Sequence, residues 1–227
     1  MKRSRPVIRA LLAGLAALVA SIALTLPASA SVGQGASPVR AGGPAFGMRL
    51  IGFDEEVARS HGYEVVTLPD GSRASVPAAK AEAAVTGRYV PTTGVIPVGA
   101  DPQGGGASTA DRGVSPPGDC GISWVSLDAI GLSQAILATG MALVPDAGDP
   151  WDVHWRVNIT DNGGSSNQSY TEYDGFIGFL TWTSYTRRLS LTRGWAFATV
   201  NWWQSYTITE NGWVCWSYGP STSEEII

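Results

Sequence analysis

From Trp151 to Thr160 the chain alternates without a break. Trp151, Val153, Trp155, Val157 and Ile159 hold one parity, and Asp152, His154, Arg156, Asn158 and Thr160 the other. A period of two sends successive side chains to opposite faces, so this segment predicts a strand with one buried and one wet face. Asp161-Asn162-Gly163-Gly164 supplies turn chemistry, and Ser166 to Tyr173 returns as the partner strand. Ile122 to Leu127, Gly178 to Tyr185, Arg188 to Thr192, Ala196 to Thr209 and Trp213 to Tyr218 read as further strands, with Glu210-Asn211-Gly212 turning the chain before the last. Leu132 to Val144 suits strand or helix by pattern; Gly131, Gly140 and Pro145 punctuate it and favour strand. Seven to eight short strands with turn signals between them predict an all-β C-terminal domain over residues 118–220. The expected fold is an antiparallel β-sandwich, immunoglobulin-like in architecture, followed by a tail at 221–227.

The N-terminal half reads differently. Asp54 suits the N-cap of a short helix, Glu55 and Glu56 suit its first turn, and Gly62 suits its stop. Tyr63 to Leu68 and Ser72 to Val76 read as a hairpin across Pro69-Asp70-Gly71. Residues 51–76 are therefore expected as a helix and β-hairpin segment, after a flexible, Gly-rich leader at 31–50. Residues 77–117 mix proline with Gly104-Gly105-Gly106 and read as a linker, with a short helix around Ala78 to Val85.

Residues 1–30 combine basic Lys2, Arg3, Arg5 and Arg9, an apolar run from Leu11 to Leu26, and the small residues Ala28-Ser29-Ala30. This is the pattern of a secretory signal peptide cleaved after Ala30, and the apolar run is too short for a stable bilayer span. The expectation is a secreted, extracellular protein with no stable membrane insertion. The signal holds four of the 15 basic residues, which leaves 11 against 19 acidic ones, a net of −8. That balance argues against nucleic acid as a partner. Export also fixes the reading of the only two cysteines, Cys120 and Cys215, as one disulfide that closes the β domain.

Recognisable catalytic patterns are missing. Cys120 sits before a predicted strand rather than at a helix N-terminus that would lower its thiol pKa. The chain has two histidines, His61 and His154, and no zinc-ligand spacing; Asp146, Asp149 and Asp152 beside Gly148 read as a solvated acidic turn. No metal and no cofactor is implied. What remains is aromatic: all nine tryptophans lie between Trp124 and Trp216. With Ala196, Ala198, Val200, Trp202, Tyr206 and Ile208 as the core parity of one long strand, Phe197 and Trp203 point outward among Asn, Gln and Thr. Trp213 and Trp216 occupy opposite faces of the last strand, which exposes one of them. Phe197, Trp203, Trp213 and Trp216 are thus the candidate ligand surface, suited to stacking on sugar rings or to capturing a peptide. The competing reading packs these rings into the core.

The run Gly52 to Tyr63, then Leu68-Pro69-Asp70-Gly71, then Gly118-Asp119-Cys120-Gly121 before Ser123-Trp124, resembles secreted proteins of actinobacteria to which no activity is assigned. The resemblance implies location and architecture and carries over no catalytic residue. The expected function is that of a non-enzymatic binding or structural module with an aromatic-rich sheet surface, its partner a cell-wall or extracellular glycan or peptide. The alternative is a secreted hydrolase with an unrecognised site, for which His154 with Asp152 or Glu172 is the place to look.

Overall fold

The structure, a computed structural model, describes residues 46–99, 118–172 and 179–227. The signal pattern with its cleavage point, the leader up to residue 45 and the glycine run of the linker lie outside the described residues.

The hairpins are built as the pattern dictates. β5 (Gly121–Gly131) pairs antiparallel with β6 (Gln134–Leu143) across a two-residue turn. That turn has Leu132 at φ 55° and Ser133 at φ 56°, the left-handed geometry that matches strand twist but that non-glycine residues disfavour. β7 (Pro150–Asp161) and β8 (Gly164–Glu172) form the second hairpin. Two short strands, β9 (Thr181–Thr183) and β10 (Arg187–Ser190), both run along β6 on the edge away from β5. Then follow β11 (Gly194–Val200), β12 (Tyr206–Thr209), β13 (Trp213–Ser217) and β14 (Ser221–Ile226).

With β1 (Phe46–Phe53), eleven strands make one antiparallel sheet, in the order β10-β6-β5-β1-β13-β12-β7-β11-β14, with β8 on the free edge of β7 and β9 on β6. The sheet folds over on itself until β11 and β14 face β5, and Ser133 N–H donates to the Ile227 carbonyl at 3.0 Å. This is a β-sandwich closed from a single sheet. Its core holds Trp155 and Trp182, both fully buried with ring centroids 5.5 Å apart. Their polar edges are satisfied: Trp155 Nε1 donates to Thr139 Oγ1 (2.9 Å) and Trp182 Nε1 to Glu172 Oε2 (2.7 Å). Buried indoles without such partners would forfeit a large part of their burial energy.

Four segments depart from the sequence reading. Phe46–Phe53, divided there between the leader and the helix-hairpin segment, is β1, a central strand paired with β5 and β13. Its alternation is real, with Met48 and Leu50 buried and Arg49 exposed, but glycines at 47 and 52 shorten the signal. Residues 221–227, read as a tail, contain β14, paired over six positions with β11. With β1 and β14 the sheet gains strands beyond the expected seven to eight. In the linker, the expected short helix forms as a 3-10 turn (Ala78–Lys80) and α2 (Ala81–Val85), and β4 (Val95–Ile96) is a strand the reading did not foresee. The fourth departure is a break in the strand read as Ala196–Thr209, taken up below.

α1 (Glu55–Ser60) is capped as expected, Asp54 Oδ1 accepting from the N–H groups of Glu56 (3.0 Å) and Val57 (2.9 Å). β2 (Tyr63–Thr67), β3 (Arg73–Pro77) and β4 form a second small antiparallel sheet with its own core of Val66, Ala74, Val76 and Ala84. It plugs one end of the sandwich. Asp54 N–H donates to the Gly212 carbonyl (2.7 Å), Ser75 Oγ to the Asn211 carbonyl (2.5 Å), and His61 meets Trp151 edge to face at 4.3 Å.

The disulfide between Cys120 and Cys215 forms, with Cα atoms 6.0 Å apart. Leu50 N–H donates to Asp119 Oδ1 (2.8 Å) and Cys120 N–H to the Met48 carbonyl (3.1 Å), so the turn before β5 is tied to β1, whose Leu50 faces Cys215. The bridge therefore locks β5, β1 and β13 together, across a loop of 95 residues.

Candidate functional site

The break in the long strand creates the site. β11 and β12 follow one edge of β7 in a single line: Val200 faces Val157, and Tyr206 faces His154. Between these pairs, five residues of one strand oppose two of the other. Asn201 N–H donates to the Arg156 carbonyl (2.8 Å), and Ser205 Oγ accepts from Arg156 N–H (3.1 Å), so Asn201 and Ser205 keep the ladder. The residues left over are Trp202, Trp203 and Gln204, and they leave the sheet as an outward excursion. Asn201 Oδ1 accepts from Trp203 N–H (3.0 Å), which sets the turn.

An insertion of odd length inverts the parity of everything after it. Before it, Ala196, Ala198 and Val200 are buried; after it, Ser205, Thr207 and Thr209 are. The reading that made Trp202, Tyr206 and Ile208 core partners of Ala196 is corrected on this point. Tyr206 turns to the outer face and Trp202 leaves the strand.

Outward, a cross-strand row results. Arg49 on β1 faces Trp216 on β13, Trp216 faces Tyr206 on β12, and Tyr206 faces His154 on β7. The rings are in contact: Tyr206 and His154 stack at 4.7 Å and 21°, and Tyr206 and Trp216 lie at 6.2 Å and 26°. Trp203 stands against Trp216 at 6.3 Å and 81°, with Trp202 3.8 Å from Trp203. Trp202 and Trp203 remain 37% and 48% exposed, large values for indoles. Arg49 lies over Tyr218 at 5.7 Å and donates to its hydroxyl at 3.2 Å. Cross-strand aromatic pairs stabilise a sheet by up to about 1 kcal/mol each, and here they also hold the rings in place.

Of the residues proposed from sequence, Trp203 and Trp216 are brought together. Phe197 is half-exposed on the same face, but it faces Thr160, away from the row. Trp213 is buried, and Gly94, in the bend just before β4, lies so close that a Cβ there would sit 1.9 Å from its ring. Trp202, Tyr206 and Arg49 were missed. The available signal was Asn201-Trp202-Trp203-Gln204: two adjacent indoles between polar residues cannot both face a core within one strand.

Of the hydrolase candidates, His154 is brought together with Asp152 and not with Glu172. His154 Nε2 lies 3.1 Å from Asp152 Oδ2, but Glu172 faces Val153 and accepts from buried Trp182. A shallow cleft of about 250 Å³ lies elsewhere, at the tip of the β7–β8 hairpin beside Asp161, Ser166 and Thr192. Its one carboxylate is engaged by backbone: Asp161 Oδ1 accepts from Gly163 N–H (2.8 Å) and Oδ2 from Thr192 N–H (2.7 Å). The Thr192 bond is the main cause of a carboxyl pKa below the ordinary aspartate value. Among the described residues, no three His, Cys, Asp or Glu side chains gather where they could hold a metal ion, and no helix is long and apolar enough to cross a membrane. Compared with protein-family models, with curated proteins and with solved structures, the chain matches none.

Proposed function

We propose that this protein is a secreted, non-enzymatic binding module whose sandwich presents the Trp202–Trp203–Trp216–Tyr206 strip to an extracellular glycan. The observation that carries the reading is the aromatic row itself. Rings fixed by cross-strand contact offer flat, ordered faces to a sugar ring at little entropic cost, and Asn201, Gln204 and Arg49 beside them supply polar partners for hydroxyls. The exposed rings form a strip, with the His154–Asp152 pair at its end, and this favours a binder over the hydrolase alternative. The N-terminal signal pattern and the disulfide support export, and the resemblance to actinobacterial secreted proteins points the same way.

Two measurements test this. N-terminal sequencing of the extracellular protein is expected to begin at Ser31; a start at Met1 in a cell-retained protein removes the export reading. The purified protein is expected to be retained on at least one of insoluble chitin, cellulose and peptidoglycan, and Trp203→Ala to lower that retention roughly tenfold, the scale of one aromatic contact. Failure of the parent protein to be retained on all three rejects the glycan reading.

A further inference from the structure

The outer face carries a second pair of exposed rings. Trp195 and Phe197 on β11 are 57% and 50% exposed. Phe197 faces Thr160 and Tyr206 faces His154, so both aromatic groups flank the same strand, on the face that β7 turns to solvent. Tyr206 and Phe197 are separated along β7 by roughly 20 Å at the usual strand rise, and the Trp202–Gln204 excursion emerges opposite Arg156.

Between them lie Arg156 and Asn158, on the same parity of β7, with Ser169 and Asn167 facing them from β8. Arg156 Nε and Asn158 Oδ1 are each withdrawn from water and have no hydrogen-bond partner within the described structure. A donor and an acceptor left in that state cost free energy that a bound group recovers. Both residues are partly exposed on the outer face of β7. Charged groups of both signs lie along the track, Arg49, Arg156 and exposed Arg193 against Asp152 and Glu225. Charges of mixed sign give an ionic polymer little net attraction along the track.

We infer that the ligand is an extended, uncharged sugar polymer that runs along β7, stacked on the Trp203–Trp216 group at one end and on Trp195–Phe197 at the other, with Arg156 and Asn158 bonding hydroxyls between. This rests on the glycan reading above and names the ligand's form. A single ring cannot reach both platforms. A polymer that reaches both gains from the second contact being intramolecular, which multiplies affinity without enlarging either platform.

Calorimetric titration with glucose and N-acetylglucosamine oligomers, each of two and of eight rings, tests the inference. For at least one sugar, the eight-ring oligomer is expected to bind at least tenfold tighter than the two-ring one. Phe197→Ala and Trp195→Ala are each expected to remove that advantage, because each leaves the second platform incomplete. Both positions are surface sites on a paired strand, and unchanged thermal unfolding of the variants checks that they fold. If eight rings bind no tighter than two, or if both variants keep the full advantage while Trp203→Ala abolishes binding, the two-platform inference is overturned and the glycan reading stands. If no oligomer binds the parent protein, both fall.

Discussion

Trp203 packs edge to face on Trp216, ring centroids 6.3 Å apart, and so ties an excursion from one strand to the middle of another. The excursion is an insertion into a register that is otherwise continuous. Asn201 already pairs with Arg156, and the core face resumes at Ser205. Deleting Trp202, Trp203 and Gln204 together is expected to give a folded protein, because Val200 still meets Val157 and Tyr206 still meets His154. Thermal unfolding is expected within a few degrees of the parent, and glycan retention at background. A variant that unfolds on deletion shows the excursion to be structural.

The disulfide constrains a 95-residue loop, for which the chain-entropy model gives between about 4 and 5 kcal/mol. Loss of a native bridge in a domain of this size costs roughly 2–5 kcal/mol in practice. Cys120→Ala with Cys215→Ala is expected to lower the denaturation midpoint accordingly, and the oxidised parent to resist thiol labelling until reduced. Labelling of both sulfurs without prior reduction contradicts the bridge.

Asp161 makes the tip of the β7–β8 hairpin pH-dependent. Its folded pKa is depressed, chiefly by the Thr192 N–H, so its contribution is fully present above the unfolded aspartate value near 3.8 and is lost as pH falls through the lower folded value. Asp161→Asn is expected to be less stable than the parent at pH 7 by a modest amount, since the group is largely solvent-screened. The difference is expected to shrink as the pH is lowered below the ordinary aspartate range. A gap that stays constant from pH 7 to pH 2 excludes the carboxylate as its source.

Gly94 lies at φ +63° with the Trp213 ring where a side chain would be. Gly94→Ala combines backbone strain with overpacking, each worth about 1–3 kcal/mol. It is expected to loosen the small sheet from the end of the sandwich and to raise amide exchange in β2 and β3 before the large sheet is affected. Unaltered exchange throughout the small sheet argues that Trp213 is covered in some other way.

Local chemistry decided much of this molecule. The alternation over residues 151–160, the Asn-Gly turns and the Asp54 cap each depend on a few neighbouring residues, and each is read from them directly. The pairing of Cys120 with Cys215 needs no coordinates either, since they are the chain's only two cysteines. Tertiary structure alone decided the site. Strand parity predicts faces only while pairing stays unbroken, and whether residues 201–205 bulge depends on what β7 offers opposite them, far away in sequence. The same holds for β1, whose weak, glycine-interrupted pattern becomes a central strand by pairing with β5 on one side and β13 on the other, and for Trp213, buried with Gly94 against its ring.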